Sequence, residues 1–192
     1  MKRHSRLAPV TALLVLALAA PAAADHTESQ RVNRDLEGWM VGDFSLIDHN
    51  GRAFTQARLS GQWTFVLFGD TRCSERCTSA LAALAGMCRR IARTEAVKTT
   101  QVLFVSLDPE YDSAQGLRRY LAPFDERFIG ARGSRETLAR LVEDLIPPGT
   151  RAAGGAGSLV LIGPDRDVRG EFLPPYDVLL LTAQFLKTRV GR

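Results

Sequence analysis

Two thiols four positions apart, Cys73 and Cys77, hold the chemistry this chain could do. On a helix, four residues overshoot a full turn by about 40°, so the spacing predicts both thiols on one face. At a helix N-terminus the backbone dipole favours thiolate, and Arg72 and Arg76 flank the pair and push the same way. A lowered thiol pKa serves disulfide exchange and metal binding alike. The spacing is not CxxC, so it does not choose between them. A plain stabilising disulfide is a third reading. It is weakened by the short loop it would close, which constrains little of the unfolded chain. Cys88 lies eleven residues beyond Cys77. On one continuous helix it would sit about 16 Å down the axis, out of reach, and reads as a small core residue.

The elements that must hold this pair follow from the apolar pattern. Trp63 to Phe68 is a continuous apolar run between Gly61 and Gly69, as expected of a strand buried on both faces. Helical periodicity follows from about Ser74 to Thr94 through Ala80, Leu81, Leu84, Met87, Cys88 and Ile91. The pair therefore stands where a buried strand hands over to a helix. Val102 to Leu107 and Leu159 to Ile162 are two further buried strands. Val41 to Ile47, a turn at Asp48-His49-Asn50-Gly51 and Ala53 to Thr55 predict an N-terminal hairpin. Ser113 and Ser134 read as caps of helices reaching Phe124 and Leu145, with a short strand at Phe128 to Ala131 between them. Pro147 to Gly157 is a Gly/Ala/Pro-rich loop, Val168 to Leu173 pairs back, and Tyr176 to Thr188 closes as a helix. Strands alternating with helices, ending in a hairpin and a helix, describe an α/β domain with a mixed sheet.

The N-terminus predicts export. Lys2, Arg3 and Arg6 precede an apolar run from Leu7, broken at Pro21 and followed by Ala22-Ala23-Ala24. This is the pattern of a signal peptide over residues 1–24, cleaved before Asp25. An uncleaved anchor is the alternative, although the run is near the lower limit for a bilayer and contains Pro9. Residues 25–40 read as a flexible stalk, and 41–192 as the folded domain. The 192-residue chain has a formal charge of +4, which falls to +1 without the leader. No basic stripe with interleaved aromatics remains, which argues against nucleic acid. In an oxidising compartment a close cysteine pair is expected to form a disulfide or hold a metal.

Phe68-Gly69-Asp70-Thr71-Arg72-Cys73-Ser74-Glu75-Arg76-Cys77 resembles the F-G-Y-T-x-C-P-D-x-C-P motif of the SCO/SenC family of copper chaperones and cytochrome c oxidase assembly factors. Val105-Ser106-Leu107-Asp108-Pro109-Glu110-Tyr111-Asp112 is similar to the family's V-x-x-D-P-x-x-D. Leu117, Tyr120 and Phe124 follow at family-like spacing, and Leu161-Ile162-Gly163-Pro164-Asp165 matches the final-strand signature. The resemblance covers about residues 41 to 188.

The resemblance implies a thioredoxin-like α/β fold that binds copper through two cysteines and a distant histidine. That histidine falls at Gly155 here, and Asp70, Ser74 and Thr78 replace the motif's Tyr and two Pro residues. Two thiolates suffice for Cu(I), whereas Cu(II) prefers a site that includes imidazole. His4 leaves with the leader, His49 sits in a turn, and His26 would be the second residue of the mature chain. Asp108 follows the second buried strand; the resemblance points it at the cysteine loop, while local turn chemistry would have it cap the turn beside Pro109.

The expectation is a periplasmic factor acting through Cys73 and Cys77, by thiol-disulfide exchange or transient Cu(I) carriage, in maturation of the oxidase copper centre. Helix-terminus logic makes Cys73 the attacking thiol and Cys77 the resolving one. Its partner would be the copper-bearing oxidase subunit or another periplasmic thiol or copper protein, with membrane contact only through the N-terminal segment. The rival readings are a general thiol-disulfide oxidoreductase, a peroxide-handling enzyme, and a non-catalytic binding module with a structural disulfide.

Overall fold

The computed structural model describes residues 38–73, 75–146 and 155–191. The expected leader over 1–24, most of the stalk, His26, Ser74 and residues 147–154 lie outside the described residues. Seven strands form one mixed sheet: β1 (Ser45–Asp48), β2 (Ala53–Thr55), β3 (Trp63–Gly69), β4 (Thr100–Ser106), β5 (Ile129–Arg132), β6 (Leu159–Ile162) and β7 (Val168–Phe172), in the order β2-β1-β5-β4-β3-β6-β7. The helices are α1 (Glu75–Ile91), α2 (Ala114–Leu121), α3 (Arg135–Leu145) and α4 (Val178–Val190).

The three continuous apolar runs are the three adjacent central strands β4, β3 and β6. β3 pairs parallel with β4 and antiparallel with β6, and all seven of its residues are buried. Alternate side chains feed two cores. Phe65 and Leu67 join Leu81 and Leu84 of α1, Leu117 of α2 and Phe185 of α4 on one face. Val66 and Phe68 join Leu138 and Leu141 of α3 and Phe54 of the hairpin on the other. Each buried Phe or Leu contributes roughly 1.5–3 kcal/mol, which is why covering both faces selects unbroken apolar strands.

The hairpin forms as expected, with Leu46 opposite Phe54 and the Asp48 carboxylate accepting from the backbone of Asn50 and Arg52. Ser113 and Ser134 cap α2 and α3 through Gly116 N and Thr137 N. The sequence pattern ran three elements long: α1 ends at Ile91 and gives way to a 3-10 turn over Glu95–Thr99, α2 ends at Leu121, not Phe124, and β1 starts at Ser45, not Val41. α4 starts later than expected because Asp177 caps it, accepting from Leu179 N and Leu180 N. Among the described residues no helix is long and apolar enough to cross a membrane.

Candidate functional site

The cysteines sit at the C-terminal end of β3, where the chain leaves the sheet. After Gly69 it turns tightly: Cys73 N donates to Asp70 O at 2.9 Å, and Arg72 N donates to the Asp70 carboxylate at 2.8 Å. Cys73 and Cys77 form a disulfide with Cα atoms 5.7 Å apart. The described part of α1 opens at Glu75, so Cys73 belongs to the turn and Cys77 to the first helical turn. This corrects the expectation that both thiols share a helix face. The Asp70 turn, not helical periodicity, brings Cys73 over Cys77.

The two sulfurs see different surroundings. Cys77 is fully buried, whereas Cys73 is partly exposed and lines a cleft of about 790 Å³. Cys77 Sγ lies 3.9 Å from Phe68 O. With the disulfide closed the sulfur has no proton to give, so this is a contact only; the reduced thiol could donate there. Gly69 makes room for it. A Cβ at residue 69 would stand 2.7 Å from Cys77 Sγ and 3.1 Å from the Phe104 ring.

Three further attachments hold the turn. The buried Asp112 carboxylate accepts from Thr71 Oγ1 at 2.6 Å and from Thr71 N at 3.2 Å. It also accepts from Ser106 Oγ at 2.5 Å, which ties the cysteine turn to the end of β4. Tyr120, packed on Phe104 and Phe124, donates its hydroxyl to Cys73 O at 3.3 Å. Burial, with Asp70 and Asp112 nearby, raises that phenol's pKa and keeps it a donor.

The opposite wall comes from the chain entering β6 and leaving β7. Gly157 N donates to Phe68 O at 2.7 Å, and Phe68 N donates to Ser158 O at 3.1 Å, pinning residues 155–158 beside the cysteine turn. Gly157 has φ +94°, a conformation that favours glycine, and a Cβ there would press on the Arg76 side chain. Tyr176 donates to Gly157 O at 2.6 Å. Its pKa is driven up by burial and by Glu171. Ala156, Pro174, Pro175 and Tyr176 face Cys73 across the cleft.

Both flanking arginines line the cleft with Cys73. Arg72 is ion-paired to Asp108 Oδ2 at 2.5 Å with its guanidinium 4.2 Å above the Tyr111 ring. Arg76 stays on the cleft wall and donates to Ala156 O at 3.4 Å. Asp108 fills both roles considered for it, capping the turn through Tyr111 N and facing the cysteine loop through Arg72. Cys88 is buried and unpaired within the core. His49 lies away from the site, its Nδ1 accepting from Gly130 N at 3.0 Å. Among the described residues no group of three or more His, Cys, Asp or Glu is placed to hold a metal. Asp112 and Tyr120 stood among the residues that carry the resemblance but had no assigned role; Tyr176 carried no local signal of its own.

A strand-to-helix turn bearing two cysteines, clamped from β4 and roofed by the β6 approach, can be set beside known proteins. The family model for SCO1/SenC matches residues 33–146. This chain belongs to the SCO1/SenC family. The human mitochondrial SCO2 homolog is 33% identical to this family member over 125 residues, 64% of the chain and 47% of the relative. A Stutzerimonas stutzeri protein named as copper-binding is 31% identical over 143 residues, 70% of each chain. The crystal structure of Arabidopsis thaliana ScoI with copper bound aligns at a TM-score of 0.69 and 26% identity, covering 80% of this chain and 99% of that one. The chain spans about half the length of the human relative it matches. The thioredoxin-like fold and the family are therefore as the motifs implied.

Proposed function

We propose that this SCO1/SenC protein works in the periplasm through Cys73 and Cys77, exchanging disulfides with, or passing Cu(I) to, a protein of cytochrome c oxidase copper-centre assembly. The observation that carries the reading is the asymmetry of the disulfide: Cys73 opens onto the cleft while Cys77 is sealed beneath it. A partner thiolate can reach only Cys73 Sγ. Attack there forms a mixed disulfide and releases Cys77 as thiolate. The partner's second thiolate then attacks the mixed disulfide, leaving both cysteines of this chain reduced and the partner oxidised by two electrons. The reverse sequence reduces a partner disulfide, with Cys73 as attacking thiol and Cys77 resolving.

Copper enters this reading as cargo. Reduced Cys73 and Cys77 supply two soft sulfur donors, a set suited to Cu(I). Among the described residues neither imidazole nor thioether lines the cleft, and Gly155 stands where the resemblance places the family's histidine. The donor set therefore fits transient Cu(I) carriage better than stable Cu(II) storage. Titrating the reduced protein with Cu(I) against a competing chelator tests this. One equivalent should bind, and Cys73→Ser should abolish it. Retention of Cu(I) by Cys73→Ser would remove the cysteine pair from the reading.

A further inference from the structure

The end of the sheet away from the cysteines gathers positive charge. β3 and β4 begin there, side by side. The β6–β7 turn lies next to them, because Ile162 at the end of β6 pairs with Thr64 near the start of β3. α1 and α4 both finish there. α1 runs out at Ile91 and leads through Glu95–Thr99 into β4, and Arg189 of α4 donates to Thr99 Oγ1 at 3.1 Å. The α1 exit supplies Arg90 and Arg93, both exposed, and α4 supplies Lys187 and Arg189. Lys98 joins them, paired with Glu95. The β6–β7 turn adds Arg166 and Arg169, the second paired with Asp167 and lying 5.9 Å above the Trp63 ring. Only Glu95, Asp165 and Asp167 oppose these cations on the elements named. Helix dipoles account for basic residues in the last turns of α1 and α4. They do not account for Arg93 and Arg166, which lie outside the helices. Arg166 moreover holds φ +68°, a region where a long side chain is uncommon and costly.

An exposed aromatic sits against the same turn. Val41 N donates to Arg166 O, Val168 N donates to Trp39 O, and Met40 bridges to Asp167. Trp39 is 51% exposed and Met40 52%. The described chain opens here, at Gly38, so the N-terminal segment with its apolar run from Leu7 joins the domain at this end.

We infer that this end of the domain is a docking surface for the anionic headgroups of a lipid bilayer. Clustered Lys and Arg draw a protein to acidic lipid, and tryptophan favours the headgroup level. A bilayer matches all three observations: the excess of cations, the exposed Trp39 and Met40, and the apolar N-terminal run that leaves from the same end. An acidic protein surface matches only the first. The consequence is orientation. The cysteine turn lies at the other end of β3, whose seven residues span about 23 Å. Docked this way, the cleft of Cys73 opens away from the bilayer, and a partner must present its reacting group at about that height.

Trp39 is the probe, because the other tryptophan, Trp63, is 3% exposed. Its fluorescence is followed in the oxidised protein recovered after export, with vesicles of phosphatidylcholine alone or of equal parts phosphatidylcholine and phosphatidylglycerol. A blue shift and protection from acrylamide are expected with the anionic vesicles only, and both should vanish at high salt. Each basic residue near an anionic surface strengthens binding roughly fivefold, so the double variant Arg93→Glu/Arg166→Glu should weaken it at least tenfold. Neither change touches the cysteine cleft, so the rate of disulfide reduction without vesicles should stay the same. An equal response to both kinds of vesicle, or none to either, would overturn the inference. So would an anionic-vesicle response that the double variant leaves intact. A blue shift that grows with protein concentration in the absence of lipid would overturn it too, by making Trp39 a contact between copies of the chain.

Discussion

The Asp112 carboxylate receives both the hydroxyl and the backbone N–H of Thr71, 41 residues earlier in the chain. This is the bond that holds the cysteine turn against the end of β4. Asp112→Ala removes it and leaves the fully buried Ser106 hydroxyl without the acceptor it now uses. An orphaned buried donor costs about 1–3 kcal/mol, so the variant should lose about 3 kcal/mol in urea unfolding. Because Thr71 is two residues from Cys73, the disulfide should also become faster to reduce. A variant as stable as the parent, with unchanged reduction kinetics, would show that the clamp does not set the turn.

Glu171 on β7 is 1% exposed, and neither carboxylate oxygen has a hydrogen-bond partner. Burial alone pushes its pKa from 4.5 to about 7. Between those values the folded state keeps a proton that the unfolded state releases, so stability falls as pH rises through the window and stays low above it. The full cost is about 3 kcal/mol. Glu171→Gln keeps the shape and removes the charge. Denaturant unfolding at pH 5 and pH 8 should show the parent losing stability between them and the variant losing less. Equal stability of the two proteins at pH 8 would refute the assignment.

Cys88 offers a contrast to the working pair. Burial raises its thiol pKa to about 11, against the opposing pull of Arg127. At pH 8 almost none of it is thiolate, and thiolate is the reactive form. Brief iodoacetamide treatment of the reduced native protein should therefore label Cys73 and spare Cys88. Mass spectrometry of the unreduced protein should find Cys73 joined only to Cys77. Labelling of Cys88 at a rate like that of Cys73 would contradict its place in the core.

How far the sequence could carry this follows from the range of each interaction. β3, β4 and β6 were legible because burial on both faces leaves a local mark, an unbroken apolar run. The cap residues Ser113 and Ser134 were legible because their partners lie three residues away. The ion pair of Arg72 was not legible because its partner Asp108 is 36 residues distant. Adjacency to Cys73 in sequence gave no hint that the guanidinium turns toward Tyr111. The role of Asp112 and the Tyr176 bond to Gly157 are invisible for the same reason, since only the folded sheet brings β4, β6 and β7 to one end. Expected helical sharing of the two thiols failed on a single turn at Asp70, whose geometry depends on the Asp112 clamp behind it.

Gly155 bears on the difference in metal chemistry expected between this chain and its copper-bound relatives. Ser158 N donates to Gly155 O at 3.2 Å, and Gly157 and Ser158 are bonded to Phe68, so residue 155 is held within a few residues of the strand end that leads to Cys73. Its neighbour Ala156 already lines the cleft. An imidazole introduced there starts one residue from the cleft wall. Two thiolates without a nitrogen donor suit Cu(I), while Cu(II) lacks its borderline ligand and tends to oxidise the pair. The unaltered reduced protein should therefore bind Cu(I) and give no lasting thiolate charge-transfer band with Cu(II). Gly155→His should gain such a band, with Cu(II) affinity raised at least tenfold, the scale on which even outer contacts tune a metal site. A stable Cu(II) complex of the unaltered protein would overturn this, and would require a nitrogen ligand from outside the described cleft, such as His26.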